Sequence, residues 1–124
     1  MAQRITICIS ETSYQAELND TVTARAICDA LPIQAQAQRW GGEIYFAIPV
    51  ACDLEGDIRD VLDAGELGYW PAGSAFCIFF GPTPMSEDNE IRAASNVNVV
   101  GKVLGDLSGL WDVQNGEQIS VKST

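Results

Sequence analysis

Glu43 and Tyr45 are the residues of this sequence best placed to bind a ligand. They stand two positions apart in a segment with the period of a β-strand, and the apolar residues at its even positions occupy the opposite face. Three further aromatic residues, Trp40, Tyr69 and Trp70, are expected close to them in a small β domain. A cleft lined by aromatic side chains around one carboxylate suits a small cationic or amide ligand.

Glu43 also has a purely structural interpretation. Its carboxylate can form an ion pair with Arg39 or Arg92 while the aromatic side chains pack over one end of the fold. The sequence leaves both interpretations open, because a strand pattern determines the face that a side chain occupies and not its partner.

A second candidate surface is the long polar loop that runs from Phe80 to Arg92. Its prolines give it stiffness, and long ordered loops on a rigid scaffold often carry function. Arg92 can bind a ligand carboxylate in a bidentate manner, or it can pair with Glu90. The loop can equally be a solvated connection between two strands.

The sequence contains no complete set of catalytic residues, which favours a protein that is not an enzyme. It has no histidine, and its serines therefore lack the usual base of a nucleophilic hydroxyl. Cys77 lies in an apolar strand, where burial raises the pKa of the thiol and suppresses its reactivity. Glu43 and Glu90 remain a possible acid–base pair, because the sequence does not define their separation.

The cysteines do not have the spacing of a metal site. There are four of them, with no Cys-x-x-Cys pair and no histidine to complete a zinc ligand set. No secretory signal or stretch of about 20 apolar residues is recognisable. We therefore expect reduced thiols in a cytoplasmic protein, with no metal and no cofactor.

Charge excludes two classes of partner. The formal net charge is −10, and only 7 basic residues are spread along the chain, so nucleic acid and anionic membrane surfaces are not expected partners. A chain of 124 residues that is 47% hydrophobic is typical of one globular domain over residues 1–124. Its oligomeric state is left open.

The elements that must position these residues are mostly strands. Alternating or apolar runs predict strands at 4–10, 14–18, 33–40, 43–50, 66–70, 75–80, 96–104 and 117–122. A first helix is predicted from a cap at Asn19 or Asp20 to Pro32. A second is predicted over Asp53–Ala64, where Leu54, Ile58 and later apolar residues recur at helical intervals.

Several motifs resemble those of known proteins. Glycine-rich and aromatic tracts of the second half resemble cyclophilin strands: they lie at 65–73, 79–80 and 99–103. A closer resemblance is to small bacterial and archaeal cyclophilin-like proteins of unknown function. It rests on four motifs in order: Trp40–Phe46, Gly68–Gly73, Phe79–Ser86 and Ala94–Lys102.

The resemblance implies a mainly β fold, a closed eight-stranded barrel capped by one or two short helices. It does not imply isomerase chemistry, because the Phe-His-Arg strand of cyclophilins is absent and their pocket histidine aligns with Val97. The aromatic wall of the cyclophilin pocket is retained at Phe79 or Phe80.

The sequence therefore predicts a domain that binds a small molecule or a short peptide without prolyl isomerase activity. The alternatives are a weak prolyl isomerase, a cyclophilin-like component of an amide-hydrolysing enzyme, and a purely structural subunit. The predicted ligand-binding residues are Glu43, Tyr45, Tyr69, Trp70, Phe79, Phe80 and Arg92.

Overall fold

Short runs of apolar and β-branched residues form strands that pair antiparallel, and the central strand Ala75–Phe79 is buried on both faces. The computed structural model describes residues 3–124. Its strands are β1 (Gln3–Ile9), β2 (Thr12–Leu18), β3 (Ile33–Gln36), β4 (Gln38–Trp40), β5 (Glu43–Ala47), β6 (Ile58–Leu62), β7 (Glu66–Trp70), β8 (Ala75–Phe79), β9 (Ile91–Leu104) and β10 (Gln118–Ser123). Short 3₁₀ turns at Pro71–Gly73 and Ser108–Asp112 connect strands.

The sheet follows the order β3-β10-β1-β2-β9-β7-β8-β5-β4, and β6 pairs with β9 outside this path. The predicted fold class is confirmed as mainly β, but the prediction of a closed barrel of eight strands is wrong. The described residues form ten strands, and no ladder joins β3 to β4 at the two ends of the path. These end strands follow each other in the chain, and only Ala37 lies between them.

One α-helix, α1 (Val22–Ala30), packs against the sheet. Its N-cap is Thr21, whose side chain accepts a hydrogen bond from the amide of Ala24, so the prediction of a cap at Asn19 or Asp20 is wrong by one or two residues. Asn19 instead orients the cap, because its side-chain oxygen accepts the Thr21 hydroxyl at 2.8 Å. Within residues 3–124 no helix is long and apolar enough to cross a membrane.

The predicted helix over Asp53–Ala64 is absent. Residues 51–57 form an irregular segment, and Ile58–Leu62 form strand β6, which pairs with β9. Gly56 adopts a φ of 70°, which a right-handed helix cannot contain. The apolar spacing was misleading because Leu54 and Ile58 are exposed rather than packed on one helical face.

The sheet separates two apolar clusters. The inner cluster packs against α1 and contains most of the buried residues, with Ile44, Phe46, Tyr69 and Phe76 among its largest side chains. The outer cluster lies on the opposite face of β7 and β8, beneath β6 and the first half of β9. Its buried members are Leu62, Ala75, Cys77, Phe79, Ile91, Ala93, Val97 and Val99.

Strand β9 changes course where it crosses the outer cluster. Its pairing with β6 is irregular, since Val61 faces Arg92 whereas Arg59 faces Val97. The intervening residues Ala93–Asn96 are therefore opposed by Asp60 alone and bulge from the ladder. This bulge leaves a gap between β9 and β5.

Candidate functional site

The gap on the outer face is a cleft of about 180 Å³ between β5 and the β9 bulge. It is lined by Trp40, Glu43, Tyr45, Trp70, Ala93, Ala94 and Val97. Its volume is below the roughly 300–1,000 Å³ of sites for drug-sized ligands, so it suits a group of side-chain size. The structure thus brings together Glu43, Tyr45 and Trp70 of the predicted ligand-binding residues.

A tight hairpin positions the acidic side of the cleft. Trp40 ends β4 and pairs directly with Glu43 at the start of β5. Gly42 lies so close to the backbone of Gly81 that a Cβ atom would approach within 2.2 Å, so only glycine fits there. The amide of Gly42 donates to Pro82 O at 2.8 Å, and this bond anchors the hairpin.

Trp70 closes the other side of the cleft. It ends β7, and its indole Nε1–H donates to Ser95 Oγ in the β9 bulge at 2.6 Å. The floor beneath it depends on Gly68, where a Cβ atom would lie only 3.0 Å from Phe79 and from Val97. The missing side chain at Gly68 lets the Phe79 ring and Val97 pack against β7 under the cleft.

Glu43 is a buried carboxyl group without a counter-charge. It is 7% exposed, and none of the ion pairs among residues 3–124 involves it. Burial raises its pKa from 4.5 to about 7, because removal from water disfavours the charged form. A hydrogen bond with the Cys77 thiol acts in the opposite direction and does not offset the effect of burial.

The arginines that could have neutralised Glu43 bind elsewhere. Arg39 lies on the other side of the hairpin, where Nη1 donates to the carbonyl oxygens of Trp111 and Val113 at 3.0 and 2.9 Å. Arg92 pairs with Asp60 at 2.8 Å and with Glu90 at 2.6 Å. The structural interpretation of Glu43 as a member of an ion pair is therefore wrong.

Four of the predicted ligand-binding residues do not line the cleft: Arg92 and three aromatic residues. Tyr69 is fully buried in the inner cluster, where its hydroxyl donates to Val50 O at 2.5 Å. Phe80 also packs in the inner cluster, with its ring 4.8 Å from that of Trp111. Phe79 is fully buried in the outer cluster, so its ring belongs to the floor beneath the cleft.

The loop from Phe80 to Arg92 is held against the start of β9 and does not reach the cleft. The Thr83 hydroxyl donates to Arg92 O, and the Arg92 amide donates to Ser86 Oγ at 3.0 Å. Arg92 itself is occupied by its two acidic neighbours. The loop is an ordered connection, and none of its residues contributes to the lining of the cleft.

The cleft combines one buried carboxyl group with aromatic side chains and one phenol hydroxyl group. Glu90 is held by Arg92, so it does not form an acid–base pair with Glu43. The Cys77 thiol lies in the floor at 1% exposure, and burial raises its pKa well above the ordinary value of 9.0. Among residues 3–124, no cluster of histidine, cysteine or acidic side chains has the arrangement of a metal site.

Sequence reasoning missed the part of the lining contributed by β9. Ala93 and Ala94 fell between the predicted loop and the strand predicted at 96–104, and their small side chains leave the space of the cleft. Val97, which the cyclophilin resemblance aligns with the pocket histidine, does line the cleft. That alignment was the one available signal for this wall.

Comparison with known proteins covers nearly the whole chain. A family model described as cyclophilin-like matches residues 3–122. The fold is similar to the solution structure of a hypothetical protein from Archaeoglobus fulgidus, with 42% sequence identity and a TM-score of 0.84. That match covers 99% of this chain and 95% of the archaeal chain. No curated protein matches.

Proposed function

We propose a ligand-binding function for this chain, which belongs to the cyclophilin-like family. The family match and the similar archaeal structure confirm the resemblance to cyclophilin-like proteins that the sequence motifs indicated. The proposed ligand is a small molecule or a short peptide, held in the cleft between β5 and the β9 bulge. The observation that carries the proposal is the unpaired carboxyl group of Glu43, which lies buried among aromatic side chains.

An unpaired buried carboxylate costs folding free energy, and a structural role does not explain its presence here. Glutamine at this position would fill the same space without a charge to desolvate. Residues that reduce stability without packing or pairing are typical of functional sites, where a ligand supplies the missing partner. A cationic or amide group inside the cleft would supply that partner.

Prolyl isomerase activity is not part of the proposal. The cleft lining contains no arginine or histidine, and the position of the cyclophilin pocket histidine is occupied by Val97. The ionised carboxylate of Glu43 only accepts hydrogen bonds, so it does not replace the arginine of the absent Phe-His-Arg strand. The four cysteines are free, as a reducing cytoplasm would keep them, and a cytoplasmic location belongs to the same proposal.

The tryptophans provide an experiment with an internal control. Trp40 and Trp70 line the cleft, whereas Trp111 packs against Phe80 outside it. In NMR titrations with benzylamine, benzamide and a short proline-containing peptide, we expect at least one probe to shift the indole N–H resonances of Trp40 and Trp70 and to leave that of Trp111 unchanged.

The same protein is then assayed for acceleration of proline isomerisation in the peptide. No acceleration is expected. The proposal fails if no probe shifts the two cleft indoles, or if the peptide is isomerised faster and the Glu43→Gln substitution removes that activity. Glu11→Gln is the matched control, because Glu11 is an exposed glutamate outside the cleft.

A further inference from the structure

The cleft offers a cation very few hydrogen-bond acceptors. Its β9 wall is made of alanine and valine, and Ser95 Oγ already accepts the indole N–H of Trp70. The side-chain hydrogen-bond acceptors in the lining are the carboxyl group of Glu43 and the hydroxyl group of Tyr45. A primary ammonium brings three N–H donors and a guanidinium five, so most of them would remain unsatisfied here.

The cleft nevertheless lacks a positive charge that its carboxylate needs. Glu43 has no basic neighbour within ion-pair distance among residues 3–124, and both Arg39 and Arg92 are engaged elsewhere. A neutral ligand would leave that carboxylate uncompensated. A cation would pair with it, and the overall charge of −10 would favour approach of a cation to the surface.

The aromatic walls favour one type of cation. Trp40, Tyr45 and Trp70 line the same cleft from three different strands. Aromatic faces attract cations most strongly when the cation is poorly hydrated, and quaternary ammonium groups are bound in this way. Such a group carries positive charge without N–H donors, so it matches a site with one carboxylate and few acceptors.

We propose that the cleft binds a trimethylammonium group, with Glu43 as its counter-charge and Trp40, Tyr45 and Trp70 as its aromatic walls. The inference rests on the proposed function and narrows its ligand class. The group can belong to a free small molecule or to a methylated lysine side chain of a peptide, and both sources present the same chemistry to the cleft.

The test compares isosteric probes by NMR titration on the full chain near pH 8. Choline carries the trimethylammonium group, its carbon isostere carries a neutral tert-butyl group, and ethanolamine carries a primary ammonium. We expect choline to shift the indole resonances of Trp40 and Trp70 and to bind at least about tenfold more tightly than either of the other two. The affinity of N-acetyl-trimethyllysine amide is compared with that of choline. Tighter binding of the lysine derivative indicates a methylated peptide as the source of the group, and tighter binding of choline indicates a free small molecule.

Substitutions then assign the preference to the proposed residues. Glu43→Gln should reduce the advantage of choline over its neutral isostere, while Glu11→Gln should preserve it. Trp70→Leu should weaken choline binding as well, and a thermal unfolding scan establishes that each variant is folded.

The outcomes separate this inference from the proposed function. If the neutral isostere or ethanolamine binds as tightly as choline, the inference is wrong and the cleft remains a binding site. If no cationic probe binds but benzamide or the proline peptide does, the inference is again wrong. The proposed function fails if none of the probes of either series shifts the two cleft indoles, or if Glu43-dependent isomerisation of the proline peptide is found.

Discussion

The two apolar clusters of this protein lie on opposite faces of the same strands and differ in how they treat polar groups. In the inner cluster the Tyr69 hydroxyl is hydrogen bonded to Val50 O and to the amide of Cys52. In the outer cluster the carboxyl group of Glu43 is buried without a counter-charge, and small residues of β9 leave space beside it. The buried polar group of the inner face has its hydrogen-bond partners, whereas the buried carboxyl group of the outer face has no counter-charge.

Asn98 makes this contrast sharper, because it is also polar and fully buried. Its side-chain amide donates to Asp53 O at 2.9 Å and to Thr23 Oγ1 at 3.0 Å, and its oxygen accepts the Glu55 amide at 2.9 Å. These bonds connect β9 to α1 and to the irregular segment before β6. Asn98 is therefore a buried polar residue whose hydrogen bonds stabilise the fold, whereas the buried carboxyl group of Glu43 has no counter-charge.

The largest loss of stability is expected in the inner cluster. Phe76 is fully buried and stacks on Phe46 with ring centroids 5.3 Å apart. Replacement by alanine should lower the free energy of unfolding by about 3–5 kcal/mol, since it removes buried apolar area and leaves a cavity. Denaturant unfolding measures this change, and Met85→Ala, at a half-exposed position, is the control.

The milder Phe76→Leu variant tests whether the two faces are independent. It should be less stable than the native chain and should bind choline with unchanged affinity. A loss of affinity in a variant that is still folded would show that the clusters are not separate in function.

The second-largest effect is expected for Glu43→Gln, which should increase stability instead of decreasing it. The pKa of Glu43 is raised from 4.5 to about 7, so the folded chain holds this proton more tightly than the unfolded chain does. The contribution of the Glu43 carboxyl group to the free energy of unfolding is therefore fully present below pH 4.5. It is lost as the pH rises to about 7. Glu43→Gln should raise the free energy of unfolding near pH 8 by up to about 3 kcal/mol and change it little near pH 4.

Denaturant unfolding at both pH values measures the Glu43→Gln effect, with Glu11→Gln as the exposed control. The titratable side chains facing Glu43 are Cys77 and Tyr45, and burial raises the pKa of the Cys77 thiol well above its ordinary value of 9.0, so the thiol stays protonated in this interval. An unchanged or lower stability of Glu43→Gln near pH 8 would mean that the carboxylate is stabilised in the fold.

A smaller loss is expected at Asn98. Asn98→Ala leaves the Glu55 amide and the Asp53 carbonyl without their partner, which should cost about 1–3 kcal/mol. Unfolding titrations measure the loss, and Asn89→Ala provides a control at an exposed asparagine. If Asn98→Ala left the free energy of unfolding unchanged, the hydrogen bonds of Asn98 would not stabilise the fold, and the contrast with Glu43 would be wrong.

The smallest effect is expected at Arg92. The side chain of Arg92 is 32% exposed, and those of its partners Asp60 and Glu90 are 47% and 23% exposed, so water and salt weaken its ion pairs. Arg92→Gln should leave choline binding unchanged and should alter stability no more than the error of an unfolding titration. A clear loss of binding would extend the site to the start of β9.

Local patterns predicted most strands, because one buried and one exposed face impose a period of two. Strand β5 is the best case, since alternation alone separated Glu43 and Tyr45 from the inner residues. The same rule could have excluded Tyr69 once Trp70 was assigned to the cleft, because neighbours in a strand face opposite sides. It could likewise have separated Phe79 from Phe80.

Long-range pairing explains what the sequence could not reveal. Strand β6 had a helical spacing, and only its ladder with β9, in which Leu62 pairs with Ile91, makes it a strand. The β9 bulge arises from the same ladder, so the wall formed by Ala93 and Ala94 was not visible locally. The lack of a partner for Glu43 is also a tertiary property, because Arg39 is close in sequence and binds elsewhere.

The titration of Glu43 itself tests the central claim most directly. The carboxyl carbon resonance of this residue can be followed by NMR against pH, first in the free protein and then with saturating choline. We expect a midpoint near 7 in the free protein and a lower one with choline, because a bound cation favours the ionised carboxylate. A midpoint near 4.5 in the free protein, or one that choline does not move, would contradict the proposed role of this cleft.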